Sequence, residues 1–74
     1  MSKVAVGVLG VGEMGRRHAY NLRRNVPEAE LVAVADADHE RARKVAAELE
    51  VPCAFGSLEA MLQDGKIQAV LIAT

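Results

Sequence analysis

The 74-residue chain carries 9 basic and 10 acidic side chains, a formal charge of −1, and a single cysteine, Cys53. That balance excludes the basic footprint of a nucleic-acid or anionic-membrane binder, and no apolar run is long enough to cross a bilayer. An intramolecular disulfide is excluded too: the lone cysteine, set in an apolar stretch, reads as a small core residue and fits a reducing, cytoplasmic compartment.

Residues 4–9, VAVGVL, are apolar on both faces, which suits a strand covered on both sides. Lys3 before an apolar run has the outline of a secretion signal. Gly7 and Gly10 interrupt that run, however, and Glu13, Arg16 and Arg17 follow it without a small-residue cleavage site. In the first helix Gly15, Ala19, Leu22 and Val26 recur at helical spacing until Pro27 stops it. Its Arg16, Arg17, Arg23 and Arg24 read as a solvated basic face. Residues 30–36, ELVAVAD, form a second strand of the same doubly apolar character. Asp38 caps a second helix whose apolar stripe is Ala42, Val45, Ala46 and Leu49. Residues 51–55, VPCAF, make a weaker third strand, and Pro52, lacking a donor, suits an edge. Ser57 caps a short helix carrying Leu58, Met61 and Leu62, which Asp64-Gly65 ends. Residues 68–74, QAVLIAT, form a fourth strand, again apolar on both faces.

Strands covered on both sides and alternating with helices imply an α/β fold with a four-stranded parallel sheet and three helices. Right-handed crossovers restrict the topology, and the expected strand order is 3-2-1-4, with the third helix on the opposite face from the first two. The order reverses between strands 1 and 4, and ligands of such sheets bind outside the carboxyl ends of the strands at that reversal.

The turn at the reversal is GVGEMG. Gly10, Gly12 and Gly15 have the spacing G-x-G-x-x-G, directly after a strand and opening a helix. Gly10 allows the tight turn, Gly12 lets a pyrophosphate approach the backbone, and Gly15 lets the helix lie close to the strand. The free N–H groups near Glu13 and Met14 face the anion at the positive end of the helix. Nucleoside-binding methyltransferases use G-x-G-x-G instead. The pattern also needs an acid about 20 residues further on, at the end of the second strand. Asp36 is that residue. Its carboxylate accepts from the adenosine ribose hydroxyls and repels a 2′-phosphate, so NAD is expected ahead of NADP. Ala37 offers a 2′-phosphate nothing, whereas Arg41 and Arg43 soften the preference.

Three blocks, VGVLGVGEMGRRHAYNL, ELVAVADAD and AVLIAT, resemble in order and spacing the amino-terminal part of the glucose–fructose oxidoreductase, inositol dehydrogenase and MocA (Gfo/Idh/MocA) superfamily, over residues 4–74. The resemblance implies a partial Rossmann fold. Gly10, Gly12, Glu13, Met14 and Gly15 would cradle the pyrophosphate, Asp36 would hold the adenosine ribose, and Ala73 and Thr74 would lie beside the cofactor. His18 stands where the family often has a histidine and is assigned packing or hydrogen bonding on the first helix. No residue is assigned a catalytic or metal-ligating role. In the family a proline and then a lysine in an E-K-P segment follow the AT, and a second, α+β domain recognises a sugar or polyol. The chain stops before these. It is therefore read as residues 1–74 of a dinucleotide-binding domain, a non-catalytic piece of a longer oxidoreductase without its substrate domain. The alternative is a free-standing nucleotide-binding or sensing module, which calls for a polar, capped end after the last strand; the chain ends instead in VLIAT. A final expectation is self-association of this piece through the fourth strand, whose edge carries no Lys or Pro to block pairing.

Overall fold

The computed structural model describes residues 3–73. Seven elements follow in the order β1 (Val4–Leu9), α1 (Glu13–Asn25), β2 (Ala29–Ala35), α2 (His39–Leu49), β3 (Cys53–Phe55), α3 (Leu58–Gln63) and β4 (Ala69–Ile72). The strands form one parallel sheet in the order β3-β2-β1-β4, the order expected from the sequence.

The two faces of the sheet are covered by different helices. On one face Val8 and Val34, both fully buried, meet Val11, Ala19, Ala42 and Val45 of the α1 and α2 side. On the other, Ala33 and Ala35 meet Met61 of α3, with Leu9, Phe55 and Ile67 around them. Side chains along β1 and β2 divide between these two layers, except that Val32 and Ala33 both join the second, where a bulge shifts the register between Val6 and Gly7. Gly7 is where α3 seats itself. A Cβ built there would lie 2.6 Å from the Met61 sulfur, so the buried Met61 side chain occupies the space that any other residue at position 7 would need. Cys53 is half-buried at the start of β3 and packs against this second layer.

Element ends follow from caps and trapped backbone groups. The Asp38 side chain accepts from the Arg41 N–H at 3.2 Å, and the Ser57 hydroxyl accepts from the Ala60 N–H at 3.1 Å, as the sequence predicts. β3 starts two residues later than expected, because the Val51 N–H turns back to the Ala46 carbonyl at 2.8 Å and Pro52 has no N–H to offer the ladder. Just before it Glu50 takes the left-handed conformation, φ 57°, that usually calls for glycine. β4 begins at Ala69 because Gln68 bridges to β1 with its side chain as well as its backbone. Its N–H donates to the Ala5 carbonyl and its Oε1 accepts from the Ala5 N–H, both at 2.8 Å. Thr74 lies outside the described residues.

The basic residues of α1 are exposed, as expected, but two of them also tie α1 to α2. Arg16 pairs with Glu48 at 2.7 Å, and Arg23 donates to the Leu49 carbonyl and pairs with Glu50 at 3.1 Å. Arg24 lies 5.4 Å over the Tyr20 ring. Among the described residues no helix is long and apolar enough to cross a membrane, and no group of His, Cys, Asp and Glu side chains is placed to hold a metal ion.

Candidate functional site at the β1–α1 turn

The turn from Leu9 to Glu13 leaves the carboxyl end of β1, next to the ends of β2 and β4. Its N-terminal arm is held to the sheet: the Gly10 N–H donates to the Ala35 carbonyl at 2.8 Å. Gly10 has φ 89°, a region that L side chains rarely adopt. Gly15 is demanded by contact, since a Cβ built on it would overlap the Gly10 carbonyl oxygen. This is how close α1 lies to the turn that starts it.

Gly12 differs from both. It sits at the N-cap of α1 with φ −65° and ψ −166°, extended backbone that any residue adopts. A Cβ there would meet only the Arg41 Nη1, at an ordinary 3.7 Å. Neither backbone strain nor packing within the chain requires glycine at this position.

The end of α1 beside Gly12 is uncapped by any side chain. The first helical N–H with a backbone acceptor is that of Arg16, on the Gly12 carbonyl at 2.8 Å. The N–H groups of Glu13, Met14 and Gly15 therefore stand at the open, positive end of the helix. The Glu13 and Met14 side chains are exposed, Met14 by 63%.

Asp36, just past the end of β2, faces the same turn. Its Oδ2 accepts from the Val11 N–H at 2.9 Å, and its Oδ1 accepts from the Asp38 N–H at 2.8 Å. Burial works against its charge, but the backbone N–H groups of Asp38 and Val11, aided by the nearby Arg41 guanidinium, outweigh burial and hold the carboxyl below its ordinary value. The group is ionised at neutral pH. It retains lone pairs for a further donor, since each carboxylate oxygen offers about two.

Two grooves meet at Gly12. One runs toward α2 between Val11, Gly12, Arg16, Arg41 and Lys44. The other runs toward β4 and is lined by Gly12, Glu13, Met14, Gly15, His18 and Ala73. The Ala73 N–H donates to the Leu9 carbonyl at 2.9 Å, and its methyl group lies close to Gly15. The structure thus brings together Gly10, Gly12, Glu13, Met14, Gly15, Asp36 and Ala73, with His18 exposed at the rim. It also separates two residues that the sequence left equal. Arg41 faces the turn, while Arg43 pairs with Glu40 at 3.3 Å on the solvent side. The Val11 N–H as the anchor of Asp36 is a feature that sequence reasoning missed, because no side-chain pattern marks a backbone donor.

Residues 4–74 match the Gfo/Idh/MocA family, described as an oxidoreductase family with an NAD-binding Rossmann fold. The chain belongs to this family. Its curated Gfo/Idh/MocA relatives include an inositol 2-dehydrogenase of Rubrobacter xylanophilus, 44% identical over 97% of this chain and 20% of its own length. They also include the scyllo-inositol 2-dehydrogenase (NAD(+)) of Bacillus subtilis, 42% identical over 97% of this chain and 21% of its own. Among solved structures, the myo-inositol dehydrogenase of Lactobacillus casei in complex with NAD(H) and myo-inositol superposes with a TM-score of 0.89 at 37% identity. That match covers 97% of this chain and 22% of the other. The chain thus spans about a fifth of the length of the relatives it matches.

Proposed function

We propose that this chain is the opening part of the cofactor domain of an NAD-dependent oxidoreductase that acts on a hydroxyl-bearing carbon of a sugar-like or polyol substrate. The observation that carries the reading is Gly12. The fold gives reasons for Gly10 and Gly15 but none for Gly12, which stands at the N-cap of α1, an end that no side chain caps. A pyrophosphate supplies the missing reason, since an anion needs both the space and the donors.

In this reading the N–H groups of Glu13, Met14 and Gly15 donate to the pyrophosphate, with Gly10 shaping the turn and Gly12 clearing the approach. Asp36 accepts from the adenosine ribose hydroxyls while staying bonded to Val11 and Asp38. Ala73 borders the β4-side groove that receives the nicotinamide half, and Thr74, the next residue in the sequence, is assigned to the cofactor by the family resemblance alone. When bound, the nicotinamide supplies hydride acceptance or donation. The chain's own residues orient the cofactor and take no part in proton transfer, which the reading assigns, with substrate recognition, to the remainder of a longer polypeptide. The expected location is cytoplasmic, in keeping with the single unpaired cysteine.

The deciding experiment is Gly12→Val, with calorimetric titration of NAD. The variant is expected to keep its circular dichroism spectrum and lose NAD binding. Undiminished binding would remove the pyrophosphate assignment.

A further inference from the structure

We infer that Arg41 is a cofactor contact whose guanidinium holds the phosphate on the adenosine side of the dinucleotide, opposite the N-terminus of α1. The inference rests on the dinucleotide reading above and adds to it a residue on a different element, which the G-x-G-x-x-G pattern does not include.

The placement follows from the phase of α2. Burial of Ala42, Val45, Ala46 and Leu49 fixes that helix against the sheet, and Asp38 fixes where it starts. Arg41 then stands on the flank that faces the glycine turn, with Nη1 3.7 Å from the position of a Cβ on Gly12. Arg41, Lys44 and Arg16 line the same groove. Arg16 is engaged by Glu48. Among the described residues the Arg41 guanidinium has no hydrogen bond or ion pair, although its charge reaches Asp36.

A guanidinium left without a partner beside an uncapped helix end is a pair of donor sets facing one space. A neutral nucleoside brings no negative charge to either. A phosphate satisfies both, accepting from the helix N–H groups on one side and from the planar fork of the arginine on the other. Arg43 serves as an internal comparison. It lies on the same helix and carries the same charge, but it is held by Glu40 on the solvent side.

The test is calorimetric titration, at low salt, of the unmodified chain, Arg41→Gln and Arg43→Gln with adenosine, ADP and NAD. The Arg41 side chain is exposed and makes no hydrogen bond or ion pair among the described residues, and its backbone bond to Asp38 survives substitution, so Arg41→Gln is expected to keep the native dichroism spectrum. It should weaken ADP and NAD by roughly tenfold, the scale of one hydrogen bond to a charged group. Adenosine binding should not change, and Arg43→Gln should bind all three as the unmodified chain does. ADP binding undiminished in Arg41→Gln overturns the contact. An equal loss for adenosine would place the guanidinium on the base, and an equal loss in Arg43→Gln would reduce the effect to net charge; either result overturns it as well. An unmodified chain that binds neither ADP nor NAD would instead overturn the dinucleotide reading, and the contact with it.

Discussion

Asp36 does two jobs with one carboxylate. It accepts N–H groups from Val11 and Asp38 within the chain, and in the proposed function it also receives the ribose. Its carboxyl is held below the ordinary value in the folded chain, so the sign of the pH dependence is fixed. The stabilisation from this group is fully present above the unfolded value, about 3.9, and is lost as pH falls through the lower folded value. Asp36→Asn is expected to flatten this acid limb in a melting series between pH 5 and 2 and to lower stability at neutral pH by about 1–3 kcal/mol, because its NH2 group faces an N–H donor. An unchanged acid limb would show that Asp36 is no anchor. Cofactor choice is tested at the same residue. Asp36→Ser with Ala37→Arg is expected to shift preference from NAD toward NADP, since it removes a like-charge contact of several kcal/mol with the 2′-phosphate. Equal affinity of the unmodified chain for the two cofactors would remove that claim. The turn glycines divide in a similar way. Gly15→Ala should destabilise the fold by 1–3 kcal/mol or more, about the range for overpacking a rigid contact. Gly12→Ala should leave the melting temperature nearly unchanged, because its backbone angles suit any residue.

At the scale of elements, the end of α2 carries a correctable strain. Glu50 adopts φ 57°, and its ion pair with Arg23 joins a carboxylate side chain that is 80% exposed. A left-handed conformation disfavours a non-glycine residue by about 1–2 kcal/mol, and an exposed pair returns at most about 1 kcal/mol. Glu50→Gly is therefore expected to raise stability by roughly 0.5–1 kcal/mol, or about 2–8 °C in melting temperature for a domain of this size. A lower melting temperature would show that the Arg23 pair outweighs the backbone term. This helix end also shows where the sequence stops being legible. Doubly apolar runs, helical stripes and the Asp38 and Ser57 caps sufficed for the element order, because each is a local signal, and the handedness of crossovers narrowed the strand order. Glu50 gives no turn signal, so the late start of β3 was hidden. Gly7 reads as ordinary strand, since its partner Met61 lies on an element more than fifty positions away. The glycine spacing and the distance to Asp36 made the site legible. The difference between Arg41 and Arg43 was not, because it depends on how α2 is rotated against the sheet.

For the molecule as a whole, the open question is the edge of the sheet. Among the described residues β4 pairs only with β1, and its outer row of backbone groups is unpaired. Ile72 is 60% exposed there, and Leu62 of α3 is 52% exposed. No Lys or Pro interrupts the Ala69–Ile72 strand, so the usual protection of an edge is missing. We propose that isolated copies of the chain pair through β4, most simply about a two-fold axis. Sedimentation at tens of micromolar is expected to show a dimer. A monomer with slow amide exchange along β4 would show that the edge is protected in another way.

The bond from Val11 to Asp36 joins residues 25 positions apart, so the proposed binding site does not exist in the unfolded chain. Ligand that binds only the folded form draws the folding equilibrium toward it by mass action. At a hundred times its dissociation constant the gain is about 2.7 kcal/mol. A chain of 74 residues buries only about 60% of its unfolded surface and has little stability to begin with. The concentration of dinucleotide would then set, alongside temperature and pH, how many copies are folded at all, and NAD would act on this chain as a folding cofactor before it acts as a redox one.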